Sequence, residues 1–575
     1  MARLRFGIMC RGLRLPAWQA ACIRALAADG LAAPALLIVD NDPPTRAGRL
    51  RRFVGRPERL LFNLYNHLLV RPLVAPFREQ DLDDLLGHLP IVACSVVTRG
   101  SSQFFEDEDL RAIRRYRLDF VLRFAFNVIR GEILEVARYG VWSFHHGDER
   151  AFRGSPAGFW ELFHDRPDTG VILQRLSERL DNGTVLRRGN FRSAITWAGS
   201  LARIYGQAAA WPSDCVHRIA AGDTGFLTAA PELSTAPILR PPTNREFLRF
   251  VCRQSRRIAK RLARAVLFAD DWNIGVAHWP RQALLQDRTT AGVAWATPPA
   301  PGLHLADPMV CEEQGADRVY AEQFDYRRPA RIVSLAWPQD FATGAVRCEL
   351  DTGSHLSYPF VLAHEGKVYM APESRALRRL SLLRRTADGE WREFCRIADD
   401  VELTDPTLVR HAGRWWLFCC EQRGVMDTRL MIWHAPELGG PWQPHARNPV
   451  KLDVRSARPA GPLFEVAGTL YRPAQDCARS YGGAVAINRI EELSEQAFVE
   501  SPVARLSAAP SGPYPDGVHT LVVGTDRVFV DGKRSRLRLG LLPQQLRRIR
   551  AERRAGARER LAGRVRLLPV GPAER

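Results

Sequence analysis

The chain lacks every cysteine pattern that staples a small secreted fold or builds a zinc ribbon. Its 575 residues hold 11 cysteines, an odd number, with no C-x-x-C pair, and several sit inside apolar runs such as WWLFCCEQ. This excludes a disulfide framework and reads as reduced core thiols of a cytoplasmic protein. No uninterrupted apolar stretch of about 18 residues occurs, and the opening MARLRFGIMCRGLRLP is too short and too interrupted for a signal peptide, so a soluble chain is expected. The nearest approach to a span, RLLFNLYNHLLVRPLVAPF (59–77), is broken by Arg71 and two prolines and reads as a packed or interfacial helix. Low-complexity tracts are missing as well. Lysine is scarce: the formal charge of +19 and pI near 10.0 come almost wholly from arginine.

Such a charge suits a partner carrying phosphates, whether nucleic acid, a nucleotide-linked substrate or an anionic membrane surface. No nucleic-acid-binding signature accompanies it, and no nucleic acid is expected. The arginines are densest in RQSRRIAKRLARAVLF (253–268) and QQLRRIRAERRAGARERLAGRVRLL (544–568), where apolar residues recur at helical spacing. These are solvated amphipathic faces or contacts with a membrane surface.

A length of 575 residues with 46% hydrophobic content exceeds one core, since single cores rarely grow past about 250–300 residues. Residues 1–230 alternate strands with helices, the pattern of a mostly parallel sheet covered on both faces. The strands are LRFGIMC, APALLIVDND, IVACSVV, DFVLRFAF and VWSFHH; the helices are PAWQAACIRALAA, DEDLRAIRRYR and the short RGEILEVARYG, with an irregular stretch over 45–88. A helical linker is expected over 231–269. From 270 the texture turns to short strands, tryptophans and turn residues. YPFVLAHEGKVYMAPES (358–374), DPTLVRHAGRWWLFCCE (405–421) and GPLFEVAGTLYRPAQD (461–476) repeat an apolar strand, a glycine turn and a following aromatic. DPMVCEEQGADRVYAEQ (307–323) and PDGVHTLVVGTDRVFVDG (515–532) are looser copies. Spacings near 50 residues predict an all-β five-bladed propeller over 270–535, with WNIGVAHWP (272–280) closing it against the last repeat. A basic helical tail is expected over 536–575.

Between Gly140 and Leu186 runs GVWSFHHGDERAFRGSPAGFWELFHDRPDTGVILQRLSERLDNGTVL. Taken alone, a histidine at a strand end is scaffold more often than catalyst. The run, however, resembles the core of the formyltransferases that use 10-formyltetrahydrofolate, the methionyl-tRNA and sugar N-formyltransferase group. That pattern is Asn-x-His, a loop ending aromatic-Arg-Gly, Thr-Gly-Val-Thr, then Leu-Asp-x-Gly. His145 stands for the family histidine, FRG (152–154) for the loop end, TGVIL (169–173) for the strand and LDNG (180–183) for the turn; LDFVLRFAFNVIRGEIL resembles the family's folate-pocket wall. The resemblance implies an α/β Rossmann-like formyltransferase domain with His145, Asp181 and Ser143 as the catalytic set. Asn127, Arg153 and Gly154 would lie at the cofactor, although Arg153 and Gly154 read as shaping their loop. Ser143 departs from the family asparagine, whose amide helps hold the formyl oxygen; serine offers one donor for two. His146, Asn127 and Asn182 are the available substitutes. Strand alternation turns His146 away from His145. A zinc site at HH…D lacks a third ligand at metal spacing, and no metal is expected.

The second half resembles five-bladed propellers of the glycoside hydrolase family 43 type, and the N-terminal domain of plant glucosamine inositolphosphorylceramide transferase. The carrying words are ADP (306–308), YPFV (358–361), MAPES (370–374), TDPTL (404–408) and RSARPAG…LYRPAQD (455–476). The resemblance implies a sugar site built from Asp307, Glu373, Asp405, Arg455, Arg458 and Asp476, with Arg472 and Gln475 nearby. Tyr358 stands where the repeat has Asp307 and Asp405, so the pattern for hydrolysis is incomplete, and Asp-Pro is also ordinary turn chemistry. The expected function is transfer of a formyl group from 10-formyltetrahydrofolate to an amino sugar or sugar nucleotide bound with help from the propeller. The alternative is a carbohydrate-binding or glycan-processing protein whose first domain has lost turnover. The oligomeric state is not legible.

Overall fold

The computed structural model describes residues 3–41 and 55–537, apart from 101, 180–181, 232, 301, 314, 326–327, 375–376, 423–424 and 525. Asp181, the basic run 544–568 and nearly all of the 536–575 tail lie outside the described residues. The molecule is mostly β with a parallel α/β part, in two compact units that divide between Leu262 and Ala263. All 11 cysteines are free, and most are buried.

The first unit is built on seven strands: β1 (Leu4–Cys10), β2 (Ala32–Asp40), β3 (Ile91–Cys94), β4 (Phe120–Arg123), β5 (Val141–His145), β6 (Asp168–Arg175) and β7 (Thr184–Arg192). Their spatial order is β7-β6-β5-β4-β1-β2-β3. The first five run parallel, and β6 and β7 form an antiparallel edge. Parallel strands covered on both faces need near-continuous apolar sequence, which LRFGIMC and APALLIVD supply. Across β1, β4 and β5 the rings of Phe6, Phe120 and Trp142 stack at 5.3 and 4.1 Å between centroids. Helix α1 (Ala17–Ala28) starts directly after Pro16 and buries Ala20, Cys22, Ile23 and Leu26. Helix α2 (Trp197–Ala208) is capped by Thr196, whose hydroxyl accepts from Gly199 N at 3.1 Å. Helix α3 (Trp211–Ala220) follows, and α4 (Asn244–Leu267) leads to the unit boundary.

Local structure departs from the pattern reading in three places. IVACSVV is not one strand. Ser95 N donates to Asp109 Oδ2 at 2.8 Å, and the chain leaves β3 to pair Val96–Arg99 with Ser102–Phe105 in another sheet. RGEILEVARYG keeps only one tight turn, Glu132–Glu135. Residues 60–77 form a broken helix, with an α turn (Leu60–Leu64), a π turn (Tyr65–Val70) and two 3₁₀ turns (Arg71–Leu73 and Ala75–Phe77). The prolines at 72 and 76 force the last two breaks.

The second unit stacks five sheets of four or five strands. Three begin at Leu303–Glu313, Ser357–His364 and Leu403–His411 and run on through successive antiparallel hairpins. A fourth runs from Phe464–Val466 to Phe498–Ser507. The remaining sheet joins the unit's two ends: Phe268–Ala277 pairs antiparallel with Val528–Leu537. Three hairpins turn through Glu365-Gly366, Ala412-Gly413 and Ala467-Gly468, each pair at positive φ (49 and 69°, 49 and 76°, 50 and 76°), the two-residue geometry that matches strand twist. The glycine of the sequence repeat is thus a turn requirement.

Candidate functional sites

In the first unit the chain leaves β1 outward through β2 and β3, then returns to build β4 and β5 on the other side. Beyond the carboxyl ends of strands at such a reversal lies the crevice where α/β sheets bind ligands. Ser143 and His145 share one face of β5, and His145 ends the strand, half-buried. A Cβ on Gly147 would lie 2.8 Å from His145 Nε2, so only glycine lets the loop pass this close to the ring. His146 is enclosed: its ring stacks on Tyr205 at 3.6 Å between centroids and meets Trp18 edge-on at 5.2 Å. Burial, reinforced by His145, pushes its pKa down to about 3, and it stays neutral. Tyr205 is pushed up to about 12 by the same burial. His146 is scaffold.

The loop after the histidines is held by charge. Asp148 accepts from Arg150 N and Nε, both at 3.1 Å, and Arg188 reaches Glu149 at 2.6 Å. Burial alone would raise the Asp148 carboxyl, but Arg150 and Arg188 hold it below its usual range. The TGV glycine has a reason: a Cβ on Gly170 would stand 2.8 Å from Asp148 Cα. Arg153 and Gly154 pair with Ile238 and Leu239, and Arg153 Nε donates to Ala236 O at 2.8 Å. Asn127 is exposed, with its N–H on Gln103 Oε1 at 2.5 Å; Asn182 Oδ1 accepts from Ser234 N at 2.7 Å. The residue directly across from Ser143 is the buried Gln174, whose Oε1 accepts from Gly183 N at 3.1 Å. Its signal in the sequence was the strand TGVILQ, one position past the last residue of the TGVIL motif.

In the second unit, three X-Pro words occupy one structural position. Asp307, Tyr358 and Asp405 each precede proline inside a bulge near the start of a sheet, with φ of 52, 42 and 53°. A left-handed non-glycine residue before proline costs on the order of 1–3 kcal/mol, and such strain collects at working sites. Two second-strand acids sit in matching register: Glu322 pairs with Ala306, and Glu373 with Ser357. Arg458 joins the acids. It bonds Asp405 through Nε and, at 3.0 Å, Nη2; it reaches Asp427 at 2.9 Å and Glu373 at 3.8 Å, and lies 4.9 Å above the Tyr481 ring. Gln475 Nε2 donates to Asp405 at 2.7 Å, and Glu373 Oε2 accepts from Asp405 N at 3.2 Å. Tyr358 cannot act as a third acid; its hydroxyl meets Thr407 Oγ1 at 2.8 Å and accepts from Gly461 N at 2.7 Å.

On the other side, His519 Nε2 lies 3.3 Å from Asp307 and Nδ1 lies 2.5 Å from Asp531; Thr520 Oγ1 donates to Asp307 at 3.0 Å. Burial lowers the His519 pKa, but Asp531 and Asp307 outweigh it and raise it above the usual value. Asp531 is held below its usual range by His519 despite burial. Burial, with Asp307 beside Glu322 and Asp405 beside Glu373, raises both glutamates well above theirs, and Asp307 is raised by burial and Asp405 against the pull of His519. One buried cluster therefore sets carboxyls pushed up by burial and like charge, Glu322, Glu373 and Asp307, beside one held down by a histidine, Asp531. Asp307, His519 and Asp531 each bring a ligand atom within 4.8 Å of the others, a donor set suited to a divalent cation, though His519 here closes ion pairs with both acids.

Among the propeller residues expected at the site, the structure brings together Asp307, Glu373, Asp405 and Arg458. Arg455 instead closes on Asp453 in its own turn at 2.8 Å, and Asp476 faces Arg505 and caps Ala478 N at 3.0 Å. Arg472 is wholly buried on Glu500 at 2.6 Å and serves the core. Glu322, Asp427, His519 and Asp531 were not singled out from sequence. Aligning YAE (320–322) with MAPE (370–373) would have exposed Glu322.

Among solved structures, the chain is similar to an α-L-arabinanase of Cellvibrio cellulosa complexed with arabinohexaose, at 16% identity over 34% of this chain and 77% of that one, with a TM-score of 0.27. It is also similar to glycinamide ribonucleotide transformylase 1 from Symbiobacterium toebii, at 15% identity over 38% and 89%, with a TM-score of 0.26. At the level of families, residues 337–511 match glucosamine inositolphosphorylceramide transferase 1, N-terminal. That protein from Oryza sativa subsp. japonica is 39% identical over 160 residues, covering 27% of this chain and 21% of the relative; from Arabidopsis thaliana it is 35% identical over 156 residues, covering 26% and 20%. The methionyl-tRNA formyltransferase of Prochlorococcus marinus is 28% identical over 116 residues, covering 20% and 31%. The chain thus spans about a fifth of the length of the first of these relatives and under a third of the last. The matched segment 337–511 contains Tyr358, Glu373, Asp405, Arg458 and Gln475, the arginine side of the cluster.

Proposed function

We propose that the chain is a two-part transferase: the first unit moves a formyl group from 10-formyltetrahydrofolate to an amino group, and the second recognises the carbohydrate that bears it. The observation that carries this is the pairing of Ser143 with His145 on one face of β5, at the carboxyl end of a parallel sheet, with Gly147 packed against the His145 ring. 10-Formyltetrahydrofolate supplies the formyl group. The crevice suits it through the half-buried His145 at the strand end and through the exposed Asn127, while Arg153 and Gly154 fix the loop that borders it. His145 Nε2 is the place for the proton that an attacking amine sheds, and from it the departing donor nitrogen would regain one; Asp181 is the proposed partner of that ring. Ser143 offers one donor toward the formyl oxygen.

In the second unit we read the five sheets as five propeller blades, with the acids and Arg458 at the blade starts facing one channel. Protonated Glu322 and Glu373 donate to sugar hydroxyls or to a glycosidic oxygen, and the charged side, Asp405 with Arg458, accepts and orients them. Similarity of segment 337–511 to a transferase of inositolphosphorylceramide supports a phosphorylated or amino-sugar ligand.

The test uses purified full-length protein with 10-formyltetrahydrofolate and a panel of amino-sugar nucleotides, following tetrahydrofolate release and product mass. His145→Ala should lose most of the turnover and His146→Ala much less, with matched melting curves; equal losses would sink the assignment. The buried serine at 143 favours a second reading, in which the protein binds or processes glycans without formyl transfer. That reading stands if no acceptor is formylated while calorimetry shows sugar binding that Asp405→Asn weakens.

A further inference from the structure

The broken helix at 60–73 buries Phe62 and Val70 and turns its leucines outward: Leu68, Leu69 and Leu73 are 68, 58 and 73% exposed. Single exposed leucines are ordinary, but a run of them on one short element marks a contact surface. The neighbouring element continues it. Asn244, at the start of α4, accepts from Leu61 N at 3.0 Å and donates to Pro57 O at 2.8 Å, and Phe247 meets the Tyr65 ring at 5.1 Å. One turn of α4 buries Phe247 and Phe250 while Leu248, 54% exposed, and Val251 face outward. Beside that apolar stripe, at helical spacing, stand the exposed Arg245, Arg249 and Arg256. No helix among the described residues is long and apolar enough to cross a membrane.

We propose that this face of the first unit is a docking surface for an anionic lipid bilayer, the leucines entering the interface and the arginines of α4 meeting lipid phosphates. The charge decides between occupants. A second copy of this chain would bring its own arginines against these, whereas an anionic surface neutralises them, and a net charge of +19 adds long-range attraction. Exposed leucines flanked by arginines are the composition of elements that lie in, and do not span, a membrane interface. This inference is independent of the formyl-transfer reading.

The experiment is co-sedimentation of the full chain with vesicles of phosphatidylcholine alone and of phosphatidylcholine with phosphatidylglycerol. Binding should require the anionic lipid and weaken as salt shortens the screening length. The triple variant L68E/L69E/L73E, whose positions are exposed and leave the melting curve in place, should bind about tenfold or more weakly. Arg249→Glu with Arg256→Glu should erase the preference for phosphatidylglycerol. The proposal is overturned if the triple variant sediments like the parent. It is also overturned if the parent ignores both vesicles and light scattering shows a dimer that the triple variant dissolves, which would make the face a self-association surface.

Discussion

Arg458→Met places a side chain of similar length where a buried guanidinium binds Asp405 and Asp427 and approaches Glu373. Removing one partner of a buried ion pair leaves uncompensated charge, which costs about 3–5 kcal/mol. At roughly 2–4 °C per kcal/mol for a domain of about 150–250 residues, the melting temperature of the second unit should fall by about 6–20 °C. The deficit should depend on pH. Without the cation, which pulls the raised Glu373 carboxyl down, the buried negative charge is relieved by proton uptake as pH falls, so the gap from the parent should be widest near about pH 7.5 and narrower near about 5.5. Differential scanning calorimetry of the full chain separates the units if they melt apart. Asp405→Asn combined with Arg458→Met should cost about 1–3 kcal/mol less than the sum of the single changes, because the amide no longer needs the cation. A single variant that melts within about 1 °C of the parent at both pH values would refute the electrostatic account of the cluster.

Tyr358→Phe removes the group that satisfies Gly461 N and Thr407 Oγ1, and should cost about 1–3 kcal/mol in urea denaturation; no measurable loss would mean that water replaces the hydroxyl. Gly147→Ala sets a methyl 2.8 Å from His145 Nε2, so turnover should fall by about tenfold or more with the melting curve little changed, whereas unaltered turnover would remove His145 from the chemistry. His519 is raised by Asp531 and Asp307, so its stabilising contribution is complete below its unfolded pKa and is lost as pH rises through the folded one. Glu322 and Glu373 act in the same direction. Urea midpoints should therefore drop from about pH 6 to about 8.5, with a shallower drop in His519→Gln, and an identical slope would place the titration elsewhere.

Where a feature depends on neighbours along the chain, its sequence shows it. The apolar runs of β1 and β2 mark buried parallel strands, the repeated glycines mark hairpins, and alternation separates His145 from His146. Features created by long-range convergence leave no local trace. Asp307 N bonds to Asp531 Oδ2 across 224 positions, and nothing in VHTLVV marks His519 as the link between them. Asp-Pro reads as ordinary turn chemistry, but the left-handed backbone at Asp307 and Asp405 belongs to a bulge that only the paired strand imposes. Arg455 and Arg458 look equivalent three residues apart. One is captured by Asp453 in a local turn, and the other extends to acids contributed by two other strands and a loop, a difference of tertiary distance that composition cannot register.

The antiparallel pairing of Phe268–Ala277 with Val528–Leu537 sets a timetable for biosynthesis. The first of these strands leaves the ribosome about 250 residues before its partner, a wait of roughly 12–50 s at 5–20 residues per second. For that interval its edge offers unpaired N–H and C=O groups to any other extended chain, and Leu303–Glu313 has no completed neighbour on that side. Asp531 arrives only with the last strand, and His519 shortly before it, so Asp307 is without both partners until then. A nascent chain paused short of residue 528 already carries Glu373, Asp405 and Arg458 yet cannot assemble the whole cluster.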